Sequence, residues 1–182
     1  MSVRKKLMVI CTLTITFYHL EIAPDGAFIK LTPTDQVKLG KIKLPDNLTE
    51  FAASGENGSF TRYTTNKPLT LPVGKYHLDG WIKALPDDRG RIWRILADDS
   101  DQSGIFTIVA DHETDLNAGD HVNAVLTVQK VNNSTYSFNQ LLKGSMGENL
   151  TLLVDGDQPP PPKLHIKNPD GSYNRTFSFE YG

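Results

Sequence analysis

Apolar and polar residues alternate with period two in short runs along almost the whole chain, and turn residues break the runs at short intervals. Leu13, Ile15 and Phe17 share one face of such a run, and so do Phe177, Phe179 and Tyr181 near the other end. Alternation of this kind puts every second side chain on one side of an extended backbone, the pattern of a half-buried strand. Four of the breaks share a form. Gly-x-apolar-x-basic recurs at 26–30, 58–62, 90–94 and 171–175, each a turn glycine entering an alternating run, which predicts a β-hairpin. The first three copies are evenly spaced, but the similarity is short and the fourth breaks the spacing. Recurring hairpin geometry accounts for the pattern better than a repeat array.

Pro24-Asp25-Gly26 predicts a turn after the first strand, with 28–31 running back. The stretch 37–44 alternates, but Gly40 shifts its phase by one and predicts a bulge or a turn there. Residues 48–53 fit either a strand or one helical turn capped by Asp46. A strand at 69–72, a Pro72-Val73-Gly74 turn and a strand through Trp81 and Ile82 follow. Asp87-Asp88-Arg89-Gly90 then turns the chain into 92–96. The most polar stretch, 98–103, is placed as the junction between two units, 12–97 and 104–182, with 1–11 as an extension. The prolines at 159–162 form a stiff polyproline segment, and too few residues follow it for a separate domain. They read as a rigid crossover within the second unit, after which a last hairpin must dock its aromatic face on the preceding sheet. No helix of ordinary length is predicted. The fold class expected is all-β, as two antiparallel β-sandwich units, immunoglobulin-like or prealbumin-like, in tandem.

Composition narrows the function more than the fold. At 182 residues, 38% hydrophobic and 22% charged, the chain can bury a core without staples. A net charge of −2 argues against a nucleic-acid partner, which calls for a basic face. No apolar run is long enough to span a membrane as a helix. Cys11 is the only cysteine, so an internal disulfide, a CxxC pair and a multi-cysteine zinc site are excluded. The N-terminus supports two readings. Arg4, Lys5 and Lys6 followed by the apolar stretch 7–17 have the form of a secretory signal, without a good cleavage site after it. The same residues also read as an extension leading into a first strand at 12–17.

Leu-Pro-Val-Gly-Lys-Tyr-His-Leu at 71–78 resembles the Leu-Pro-x-Gly-x-Tyr-x-Leu element of carboxypeptidase regulatory-like and collagen-adhesin B-type domains, which are prealbumin-like sandwiches of secreted proteins. A longer likeness runs over about 67–182 and includes 87–93, 104–109, 116–119, 143–148, 160–163 and the closing Phe-Ser-Phe-Glu-Tyr-Gly. In that order these segments look like a family of uncharacterised exported bacterial β-sandwich proteins. The resemblance implies an extracytoplasmic location and a sandwich fold. It implies no catalytic residue.

Candidate chemistry is sparse. Asp99, Asp101 and Ser103 alternate ahead of Gly104, like the start of a calcium loop, with Asp98 beside them. The position where such a loop needs a bidentate Glu is Ala110, so Ca2+ is a weak expectation and a solvated turn the plainer reading. Trp81 and Trp93 flank the turn at 87–90, and with Tyr76 they would form a sugar-stacking surface if exposed; as core residues they would only fill space. His19, His77, His112, His121 and His165 show no metal-ligand spacing. The leading functional expectation is a non-catalytic exported module with a structural or interaction role, its partner a protein or a polysaccharide. A carbohydrate-binding module is the alternative, and a hydrolase with carboxylates converging from distant loops is the third.

Overall fold

The computed structural model describes residues 5–11, 14–63, 68–98 and 104–181. The fold is all-β with several sheets, and no helix occurs among the described residues. Sixteen strands follow one another: β1 (Lys5–Cys11), β2 (Thr14–Ile22), β3 (Ile29–Thr34), β4 (Leu39–Lys43), β5 (Leu48–Gly55), β6 (Gly58–Tyr63), β7 (Leu69–Pro72) and β8 (Gly74–Pro86). They continue as β9 (Ile92–Asp98), β10 (Ile105–Ile108), β11 (Glu113–Asp115), β12 (Val122–Lys130), β13 (Tyr136–Gly144), β14 (Asn149–Val154), β15 (Lys163–Lys167) and β16 (Asn174–Ser178). The recurring glycine motif marks hairpin turns at every copy. Gly26, Gly58, Gly90 and Gly171 all have positive φ, and they connect the antiparallel pairs β2–β3, β5–β6, β8–β9 and β15–β16. A Cβ at any of the four would meet nothing within 4 Å. Backbone conformation, not packing, is what asks for glycine there.

The largest sheet has eight strands, in the order β12-β13-β14-β9-β8-β5-β6 with β10 also on β8. Strand β8 organises it. Its first residues, 74–77, pair with β10 and its last, 80–86, pair with β9. Strands β9 and β10 therefore follow one another along the same edge of β8, and between their two ladders the amide of Leu78 donates to the Gly104 carbonyl. Of the junction expected at 98–103, residues 99–103 lie outside the described residues. Strands from both sides of it share the large sheet, and β11 pairs with β4. A division into 12–97 and 104–182 would cut three strand pairings: β8–β10, β9–β14 and β4–β11.

A second sheet, β11-β4-β7, is mixed, because β11 runs parallel to β4. Pro72-Val73-Gly74 is accordingly not the hairpin turn expected. It carries the chain from β7 in this sheet to β8 in the large one, and the hydroxyl of Tyr76 donates back to the Pro72 carbonyl at 2.9 Å across the step. Gly40 is no bulge either. It sits inside β4 on the buried side with Ile42, where a Cβ would lie 2.1 Å from the Val109 carbonyl oxygen. Phase at Gly40 is set by that close approach, and Leu39 turns outward. Strand β5 resolves the ambiguity at 48–53 in favour of a strand.

Both sheets contribute to one core: Ile42 and Leu71 from the small sheet meet Phe51, Phe60, Tyr76, Trp81 and Ile108 from the large one. Phe106 stacks on Tyr76, whose other contact is the edge of Phe60. A third sheet, β1-β2-β3, and the hairpin β15–β16 complete the described structure. The polyproline segment leads from β14 to β15 and is fastened to the residues that follow β16. Phe179 donates its amide to Pro162, and the Tyr181 hydroxyl donates to Pro159 at 2.7 Å.

Candidate functional site

Alternation along β8 puts Tyr76 and Leu78 on one face and should put Trp81 on the other, open to solvent. The structure reverses this. Opposite β8, Ala52 pairs with Gly80 and Ala53 with Leu78, so Asp79 is an extra residue. That bulge advances the phase by one and turns Trp81 inward, where it is 2% exposed, as is Tyr76. The indole N–H of Trp81 then needs a buried acceptor. Glu148 supplies it: Trp81 Nε1 donates to Glu148 Oε1 at 2.7 Å, and the Met146 amide donates to Oε2 at 2.8 Å.

Glu148 is the one buried charged residue among the described residues, and the tight turn between β13 and β14 is built around it. Gly144 donates its amide to the Glu148 carbonyl, and a Cβ on Gly144 would collide with the carboxylate. On the other side the Trp81 ring lies against Gly119, at 3.3 Å from where a Cβ would be. Sequence reasoning missed this pair because its partners are 67 positions apart. The only visible signal was a lone glutamate in the glycine-bracketed run 143–148. Its chemistry is that of a clip, since both carboxylate oxygens are engaged by donors.

Trp93 occupies a different place. It pairs across β8–β9 with Leu85, whereas Trp81 pairs with Ala97, so the two indoles are four positions apart along β9. Asp87 holds Trp93 from the hairpin turn. Oδ1 accepts the amides of Arg89 and Arg91, while Oδ2 accepts the Arg91 guanidinium and, at 3.2 Å, the Trp93 indole N–H. Desolvation pushes the Asp87 carboxyl up, but hydrogen bonds from the Arg91 and Trp93 side chains and the two amides outweigh it. They bring the group down to about 2. Arg91 also stacks over the Trp93 ring at 5.9 Å. Tyr76, Trp81 and Trp93 therefore form no common surface: two are in the core and the third is held at the start of β9 by the turn residue Asp87. Burial also pushes the Tyr76 phenol above its ordinary value.

Of the residues expected around calcium, Asp99, Asp101 and Ser103 lie outside the described residues, and Asp98 is the exposed last residue of β9. Among the described residues no group of three or more His, Cys, Asp or Glu side chains is placed to hold a metal ion. No helix among them is long and apolar enough to cross a membrane.

An open apolar feature lies elsewhere. Strands β12 and β13 form a long hairpin joined to the rest of the sheet through a single register pair, Lys143 with Asn149. Beyond that pair it projects as an arm. Between the arm and the β15–β16 hairpin runs a groove of about 690 Å³ lined by Val128, Tyr136 and Phe138 on one wall, and by Leu164, Ile166, Tyr173, Phe177 and Phe179 on the other, with Ser178 as the polar group. Strict alternation builds both walls: Val128 faces Phe138 and Leu164 faces Phe177 across their ladders. The aromatic face of the last hairpin does turn toward the sheet, as its pattern requires, yet Phe177 stays 44% exposed and Tyr136 53%. Lys130 pairs with Tyr136 and Arg175 with Ile166, so one cation stands on the groove side of each wall. Comparison with family models, with curated proteins and with solved structures found no match for this chain.

Proposed function

We propose that the protein is a non-catalytic, exported interaction module, a β-sandwich of the two sheets that share its core, and that its working surface is the groove between the arm and the last hairpin. The observation that carries this reading is the lining. An apolar cleft this size, left open to water, is the kind of surface that takes a partner. Sugar recognition combines a stacking ring with convergent hydrogen-bonding groups, and the groove offers chiefly rings and aliphatic chains. The occupant that fits is an extended apolar segment of another protein. The cations Lys130 and Arg175 on the two walls favour one that carries acidic residues. Export rests on the basic start at 4–6 and the apolar stretch after it, together with the resemblance to exported sandwich proteins.

A panel of labelled peptides tests the reading: Leu/Phe-rich sequences flanked by Asp, the same flanked by Lys, and soluble polysaccharides in parallel. Fluorescence anisotropy should show binding to the acidic apolar set and loss of it in Phe177→Asp. Binding of polysaccharides instead, or peptide binding indifferent to Phe177→Asp, would overturn the proposal.

A further inference from the structure

The outer edge of the arm is an unprotected strand edge. β12 ends the large sheet. It is nine residues long, fully exposed, without a bulge against β13, without proline, and with Lys130 as its one charge. Native edges are normally blunted by shortness, charge, proline or a cover. The opposite edge shows such devices: β6 has six residues including Arg62, and β1 lies close to it. The other side of the arm faces the polyproline segment, which sets Pro159 and Pro160 across a second cleft from 140–142.

The direction of the free backbone groups along β12 can be read from its ends. His121 and Val131 donate their amides inward, to the Ser145 hydroxyl and the Thr135 carbonyl. Odd-numbered residues therefore bond toward β13, and the amides and carbonyls of residues 122, 124, 126, 128 and 130 point out from the edge. An antiparallel partner with the same sequence must set outward residues opposite outward residues. Two-fold pairing then has to centre on a residue and not between two.

Centred on Val125, the strand is self-complementary. Val122 falls opposite Val128 and Ala124 opposite Leu126. Asn123 meets Thr127, and Val125 meets its own copy. Asp120, two residues before the strand, falls opposite Lys130 at both ends. Centring one residue earlier puts Asp120 against Val128, and one later puts Lys130 against Val122.

We propose that β12 pairs antiparallel with β12 of a second copy of this chain, centred on Val125, joining two large sheets into one continuous sheet. The interface is isologous, so every contact occurs twice and the assembly closes as a dimer. On the groove side, the second copy's Val122 then extends the apolar floor beside Val128. Lys130 serves both proposals, so the dimer is told apart from what the groove accepts by Leu126→Pro and Val125→Cys, which leave the groove lining unchanged.

Sedimentation equilibrium should give about twice the monomer mass of 20.2 kDa. Leu126→Pro removes an outward amide while leaving the ladder to β13 intact, and should give a folded monomer with an unchanged far-ultraviolet spectrum. Lys130→Asp should weaken the dimer about tenfold, and Asp120→Lys with Lys130→Asp should restore it, because a swapped pair is again opposite in charge. In a Cys11→Ser background, Val125→Cys should cross-link to itself on oxidation, since the central non-hydrogen-bonded pair brings Cα atoms to about 4.5 Å. Asn123→Cys and Thr127→Cys should cross-link only when mixed. A monomer at millimolar concentration, a dimer indifferent to Leu126→Pro, or failure of the charge swap to restore what Lys130→Asp loses would each overturn the proposal.

Discussion

Trp81 shows how much a single inserted residue decides. Asp79 adds one position to β8, and the largest side chain of the strand moves from the solvent side into the core with a polar N–H that must be satisfied. Glu148 satisfies it, and its second oxygen holds the turn at Met146. Breaking one partner of such a buried pair leaves the other unpaired, at a cost of about 1–3 kcal/mol per group. Trp81→Phe and Glu148→Gln should each destabilise by about that much in urea unfolding. The glutamine fails because its amide has one acceptor oxygen where two donors wait. The double variant should cost clearly less than the sum, the mark of direct coupling. A second residue-scale prediction concerns acid. Asp87 sits at about 2 in the folded chain against an ordinary 3.8. A depressed carboxyl stabilises the fold above its unfolded value, so its contribution is full above about pH 4 and is lost as pH falls toward 2. Asp87→Asn should flatten that part of the stability profile and leave the profile above pH 5 parallel to the parent's. Trp93 emission should report the release of its indole N–H over the same acidic range.

At the scale of elements, the hairpin turns are conformational switches and the crossovers are packing devices. Gly90 has φ of 77° and open space around it, so Gly90→Ala should cost roughly 1 kcal/mol from backbone strain alone, with Gly90→Asn milder. Gly40 is the opposite case. Its backbone is ordinary for a strand, but the Val109 carbonyl fills the place of a side chain. Gly40→Ala should therefore be the more damaging change, because β4 must move away from the 108–109 segment, and thermal melts of the two variants should rank in that order. The arm is held differently. With one register pair fixing β13 to β14, its amides between 124 and 140 should exchange faster than those of β8 and β9, and native-state hydrogen exchange would show it.

On the scale of the whole molecule, the large sheet ties early and late strands together. β14 pairs with β9, β10 with β8, and β11 with β4, so neither 1–97 nor 104–182 contains a complete core. Each fragment alone should lack a cooperative unfolding transition, and mixing the two should restore one. A protease site placed within 99–103 and cut in the native protein should leave both pieces associated through the same pairings. Independent folding of either fragment would argue for separate units after all.

The alternation and the turn residues determined that this chain is all-β and that its four Gly-x-apolar-x-basic motifs are hairpins, with the stiff prolines at 159–162 between β14 and β15. These are local properties: φ at a glycine, the period of a strand and the stiffness of proline act over a few residues and are legible there. Tertiary structure decided what depends on strands distant in sequence. Whether Pro72-Val73-Gly74 turns back or changes sheets depends on β4, which waits beside β7. Whether Gly40 is a bulge or a close approach depends on Val109, and which way Trp81 points depends on the ladder with β5. The partner of its indole comes from a turn 67 residues later. The stacking surface expected from Tyr76, Trp81 and Trp93 did not form for that reason, and the open apolar groove arose instead where two alternating hairpins face each other across a gap. Composition set the material of that groove; only the placing of one hairpin against another left it open to water.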